Sequence, residues 1–232
     1  MAREPGSEEQ TALNLIPAAF VDFERVSHAG ELLIVFFYAE AYEEAVRNGL
    51  EMFKHSGEIL RPMLLFAVFC AVTVRFFIGN FFHLSDARWK DTWEHGSTRV
   101  LYFIDAFFIV LESLSMIVLG SLDVGTATVT QIAAALIMIS GLDVVWIVVK
   151  WGVRLIFARA RAVDLSWAWC WLNLGAVALF GTVMYFFLGQ QLYLGALGWI
   201  VAINGAAFIW DMILTNKKGP WTLGKKERAV SI

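Results

Sequence analysis

An all-α, polytopic helical membrane protein is the fold class this sequence predicts, and three observations predict it. The chain is 59% hydrophobic and only 17% charged, where a typical soluble domain carries about 25% charged residues. Five apolar runs are each long enough to cross a bilayer as a helix, which takes about 20 residues. Aromatic residues make up 15%, with 10 Trp and 19 Phe, a quantity of apolar surface that lipid solvates better than water.

Residues 1–10 are polar and acidic, lack the basic-then-apolar pattern of a cleaved signal peptide, and are expected to form a disordered tail. In the segment 11–58, residues 13–23 are broken by Pro17 and Asp22, and the apolar run 32–37 is too short to span and sits between Glu31 and Glu40. Beyond it Tyr38, Tyr42, Ala45, Val46, Leu50 and Phe53 recur at helical spacing, while Glu40, Glu43, Glu44, Arg47, Glu51 and Lys54 take the other side. That alternation predicts an amphipathic helix over residues 29–56, lying at the membrane surface or packing on a partner protein. A transmembrane domain over 59–215 follows. Its spans are expected at about 62–84, 99–120, 127–150, 167–189 and 194–214, with four to six crossings compatible with the pattern. Pro62 suits the first turn of the first span. Trp89 and Trp93 in the loop 85–98, and Trp167, Trp169 and Trp171, are expected as interface anchors. The tail 216–232 is basic.

Orientation follows from lysine and arginine. The connections 121–126 and 189–196 have none, whereas 85–99, 150–161 and the C-terminal tail have several. The positive-inside rule places the latter three, and so the C-terminus, in the cytoplasm. Five crossings put the N-terminal segment outside; a sixth, over residues 26–48, would return both ends to the cytoplasm at the cost of burying acids.

The composition also narrows the chemistry. A net charge of −3 and the absence of a basic-aromatic cluster exclude nucleic acid as an expected partner. Cys70 and Cys170 lie in apolar runs, where a small buried thiol is the default, and their spacing suggests neither a disulfide framework nor zinc. Of four histidines only His83 is near a span, so bis-histidine haem and di-iron chemistry are unsupported. No His-Glu-x-x-His or Gly-x-Ser-x-Gly occurs. No catalytic residue, metal or cofactor is expected.

The informative residues are polar ones inside spans, which usually face protein or water rather than lipid. Asp105 and Glu112 lie seven residues apart in the span 99–120, on one face and roughly 10 Å apart along the axis. Measured from the predicted cytoplasmic end of each span, Arg75 falls at roughly 13 Å, Asp105 at 9 Å, Asp143 at 10 Å, Asn173 at 9 Å and Asn204 at 15 Å. Asn80 and Asp211 are shallower; Glu112, at roughly 20 Å, stands alone beyond the midplane. The expectation is a cytoplasm-facing polar layer in which Arg75 pairs with Asp105 or Asp143, with surplus acids protonated, hydrated or neutralised by a cation. The corresponding function is a non-enzymatic membrane protein that conducts or senses a cation or proton, assembled as a homo-oligomer. Gly198, Ala202 and Ala206 supply a small-residue stripe suited to helix association. The alternatives are a structural or regulatory subunit, or membrane-perturbing effector, whose polar layer only holds helices together, and a lipid-modifying enzyme. Lys150, Arg154, Arg159 and Arg161 are expected at anionic lipid headgroups.

Overall fold

The computed structural model describes residues 22–56, 59–123, 127–156, 167–188 and 194–218. The expected N-terminal tail, residues 219–232 of the basic tail, and Arg159 and Arg161 lie outside the described residues. Among the described residues seven helices follow one another: α1 (Phe23–Ser56), α2 (Leu60–Leu84), the short α3 (Ala87–Asp91), α4 (Gly96–Gly120), α5 (Val129–Ile156), α6 (Trp167–Phe186) and α7 (Leu194–Lys218). Five of them are long and apolar enough to cross a membrane, over Leu60–Phe81, Gly96–Gly120, Val129–Val153, Ala168–Phe186 and Leu194–Asp211. The chain is thus an all-α, multi-pass integral membrane protein, preceded by an N-terminal helix that by length and composition stands outside the set of spans.

The helix ends follow local chemistry. Pro62 falls in the first turn of α2, where its missing N–H costs nothing. The N–H and Oγ of Ser85 both donate to Phe81 O, at 3.1 and 2.7 Å, closing the other end. Thr128 and Gln131 cap α5 reciprocally: Thr128 N–H donates to Gln131 Oε1 (2.8 Å), and Gln131 N–H to Thr128 Oγ1 (3.2 Å). This is a capping box.

Packing closes the long helices into a ring in the order α1, α4, α5, α6, α7, α2, with α2 touching α4 across it. Fully buried Trp146, Tyr102, Phe76, Phe180, Ile109 and Met116 belong to the core. Phe107, Leu179, Phe186 and Trp199 point outward, as lipid-facing side chains of a membrane bundle do. α1 is longer than its periodicity predicts, starting at Phe23 rather than residue 29. It approaches α4 so closely at Gly120 that a Cβ there would stand 2.5 Å from Ala41 O.

The connection between α2 and α4 corrects an expectation. Trp89 and Trp93 are not interface anchors: they are 0% and 5% exposed. Both meet the Tyr102 ring edge-to-face, with centroids at 5.4 and 5.3 Å, and Trp89 Nε1 donates to His83 O at 2.9 Å. Phe23 of α1 joins the cluster, 5.1 Å from Trp93. Such pairs contribute about 0.5–1.5 kcal/mol each beyond burial. Beside this cluster, Lys90 Nζ donates to exposed Glu24 at 2.7 Å, and that bond raises the Lys90 pKa.

Candidate functional site

α4 turns both its acids inward, and each is fully buried. They do not share one layer. Seven residues of helix separate them into two levels roughly 10 Å apart, with different partners at each.

At the first level Asp105 is saturated with donors. Its Oδ1 accepts from Trp146 Nε1 at 2.7 Å, and its Oδ2 lies 2.5 Å from Lys150 Nζ and 2.6 Å from His83 Nε2. Lys150, expected at the headgroups, is only 3% exposed. Its ammonium lies 5.1 Å from the centre of the Trp89 ring and 5.8 Å from that of Trp146. A carboxylate and two aromatic faces therefore hold this cation inside the bundle, where snorkelling to the surface would forfeit all of them. Arg75 is consequently not the partner of Asp105.

At the second level the balance of charge is different. Arg75 is buried and spans two helices: its Nε is bonded to the Asp211 carboxylate of α7, and its Nη2 donates to Asn173 Oδ1 of α6 at 2.7 Å. Asn173 Nδ2 passes the contact on to Asp143 Oδ2 at 2.6 Å. Arg75 thus reaches Asp143 through an amide rather than directly. Glu112, expected to stand alone, accepts from Asn80 Nδ2 at 2.8 Å. Its carboxyl also neighbours that of Asp143, a close pair of acids. Tyr38 of α1 completes the level, its hydroxyl 3.4 Å from Asn80 Nδ2. Three buried carboxyls therefore share this level with one guanidinium, which pairs directly with Asp211 alone among them. Among the described residues two carboxyl oxygens, Glu112 Oε1 and Asp143 Oδ1, have no hydrogen-bond partner, and neither has Asn80 Oδ1.

Comparison with protein-family models, with curated proteins and with solved structures finds no match.

Of the sequence-predicted residues, Arg75, Asn80, Glu112, Asp143, Asn173 and Asp211 come together; Asp105 belongs to the other level. Asn204 joins neither, since its Nδ2 donates to Ile200 O of its own helix at 2.9 Å. The Arg154 side chain lies outside the described atoms. Composition and depth did not point to His83, Trp146, Lys150 or Tyr38 as members of the site. A signal for two of the pairings was present. Asp143 and Lys150 on α5 are seven residues apart, as are Asp105 and Glu112 on α4. Antiparallel packing of the two helices sets Asp105 against Lys150 and Glu112 against Asp143 in one register. Among the described residues, no three His, Cys, Asp or Glu side chains come together as a metal site requires.

Proposed function

We propose that this is a non-enzymatic, proton-responsive membrane protein in which the Glu112–Asp143 carboxyl pair takes up and releases a proton. The observation that carries the reading is the pair of orphaned oxygens, Glu112 Oε1 and Asp143 Oδ1, on carboxyls that face each other where one arginine shares the level with three acids. A proton held between the two carboxyls satisfies both oxygens and removes like-charge repulsion. Without it, two adjacent carboxylates in a low-dielectric interior strain the contact between α4 and α5.

Sensing is favoured over conduction. Asp211, whose side chain is 11% exposed, is the outermost carboxyl of this set. Between it and Asp143 stand the Arg75 guanidinium and the Asn173 amide, neither of which relays protons readily. The exposed small-residue stripe of α7, Gly198, Ala202 and Ala206, suits association of two copies through lipid-facing surfaces; cross-linking in native membranes tests that part.

Infrared difference spectroscopy between acidic and alkaline pH tests the central claim. The wild type is expected to show a carboxylic C=O band that disappears in both Glu112→Gln and Asp143→Asn. Identical difference spectra in wild type and both variants would refute the reading. Proton flux across reconstituted liposomes, abolished by Glu112→Gln, would favour conduction instead.

A further inference from the structure

We infer that α1 crosses the bilayer as a sixth transmembrane helix, bringing the N-terminal end of the described chain to the same face as the α2–α4 connection and laying an apolar strip against lipid acyl chains. Length and composition leave α1 out of the spans; its docking puts it among them.

Contacts run along the whole height of the bundle. At one end Ser27 Oγ lies 3.5 Å from Leu84 O, the last residue of α2, and Phe23 packs on Tyr102 near the start of α4. Midway, the Tyr38 ring is 5.3 Å from Phe77. At the other end Tyr42 packs on Phe66, and Asn48 Nδ2 donates to Gly120 O, the last residue of α4, at 2.9 Å. From Ser27 to Asn48 is about 32 Å of helix, the thickness of a hydrocarbon core. A helix antiparallel to α2 and parallel to α4 over that distance cannot lie in the plane of the interface while its two neighbours span.

The outward face agrees. Leu32, Leu33, Val35 and Phe36 are 46–62% exposed. They lie between the two end contacts, and the adjoining helices likewise expose Val74 and Phe107. Inward, Tyr38 closes the second polar level, so without α1 the Asn80 and Glu112 side of the site would open to lipid. Two of the charges of α1 are paired, Glu24 with Lys90 and Glu44 with Arg47. Glu40, exposed and only about 4 Å of helix from the midpoint, opposes burial most, and exposed Glu43 lies one turn beyond it.

Membrane-impermeant maleimide labelling of single cysteines, in sealed vesicles of one orientation and with Cys70 and Cys170 replaced by alanine, decides the matter. Glu94→Cys and Ser121→Cys mark the two ends of α4. The expected result is that Arg25→Cys labels from the same face as Glu94→Cys, and Lys54→Cys from the same face as Ser121→Cys. Leu33→Cys, exposed in the fold, is expected to label only after denaturation. Arg25→Cys and Lys54→Cys reacting from one face, or Leu33→Cys reacting in intact vesicles, would overturn the inference.

Discussion

Replacing Asp105 by leucine tests the first polar level most directly. The substitution removes the acceptor of three buried donors at once: Lys150 Nζ, Trp146 Nε1 and His83 Nε2. The Lys150 side chain is 4% exposed, so its ammonium is left inside the bundle without its carboxylate. Breaking a buried pair in this way costs about 3–5 kcal/mol. For a chain of this size each kcal/mol moves the melting temperature by about 2–4 °C, so a fall of about 6–20 °C is expected. Lys150→Met should cost less, about 1–3 kcal/mol, because Asp105 keeps Trp146 and His83 as partners. The diagnostic is the double variant Asp105→Leu/Lys150→Met. With both charges gone, only the Trp146 and His83 nitrogens lack their partner, and the double variant should melt above Asp105→Leu alone. Intrinsic tryptophan fluorescence during thermal unfolding in detergent follows all three, since Trp89 and Trp146 are fully buried beside the pair. A double variant that melts at or below the Asp105→Leu single would show that no buried, uncompensated lysine was being relieved.

Arg75→Lys should fail to preserve the second level. The guanidinium serves Asp211 and Asn173 from two different nitrogens, a fork that a single ammonium does not reproduce; a loss of about 1.5–3 kcal/mol is expected from thermal unfolding, and wild-type stability would contradict the bridging role. Gly120→Val places a side chain into Ala41 O and Phe69 and should cost about 1–3 kcal/mol by overpacking. Gly49→Ala meets nothing within 4 Å and should be neutral or stabilising by about 0.5–1 kcal/mol; equal destabilisation by both would refute the close approach of α1 to α4.

Spans were the most legible part of the fold because a bilayer imposes a length and a hydropathy that one strand of sequence displays by itself. All five apolar helices lie near the positions that runs of Leu, Val, Ile and Phe predict. The placement of α1 was less legible. At the centre of an isolated span each Leu, Ile, Phe or Val favours insertion by about 0.3–0.6 kcal/mol, while a charged residue such as Asp opposes it by about 2.5–3.5 kcal/mol. Six apolar residues at 32–37 therefore barely offset one acid, and no local window identifies the helix as a span. Its position depends on surfaces of α2 and α4 that are distant in sequence. The connection 85–95 was misread for a related reason. Tryptophans flanking a span resemble interface anchors, and nothing in their spacing reveals that the Trp89 indole N–H reaches His83 O.

The candidate site was legible as a set of residue types at depths, but not as pairings, because depth along a helix ignores rotation about it. Asp105 and Lys150 illustrate the difference. By depth Lys150 belongs at the surface; by register it faces Asp105, just as Asp143 faces Glu112. The same antiparallel contact between α4 and α5 thus holds two acids in two opposite electrostatic conditions. Asp105 meets a cation, an indole N–H and an imidazole, and each of its oxygens is satisfied. Glu112 meets another carboxyl and retains an oxygen with no donor. A site built only to hold helices in register would gain from repeating the first arrangement at the second level, since a lysine at position 143 would pair with Glu112 as Lys150 does with Asp105. An aspartate there instead carries a repulsion that one proton relieves, and under the proposed function this asymmetry singles out Glu112, rather than Asp105, as the responsive acid of α4.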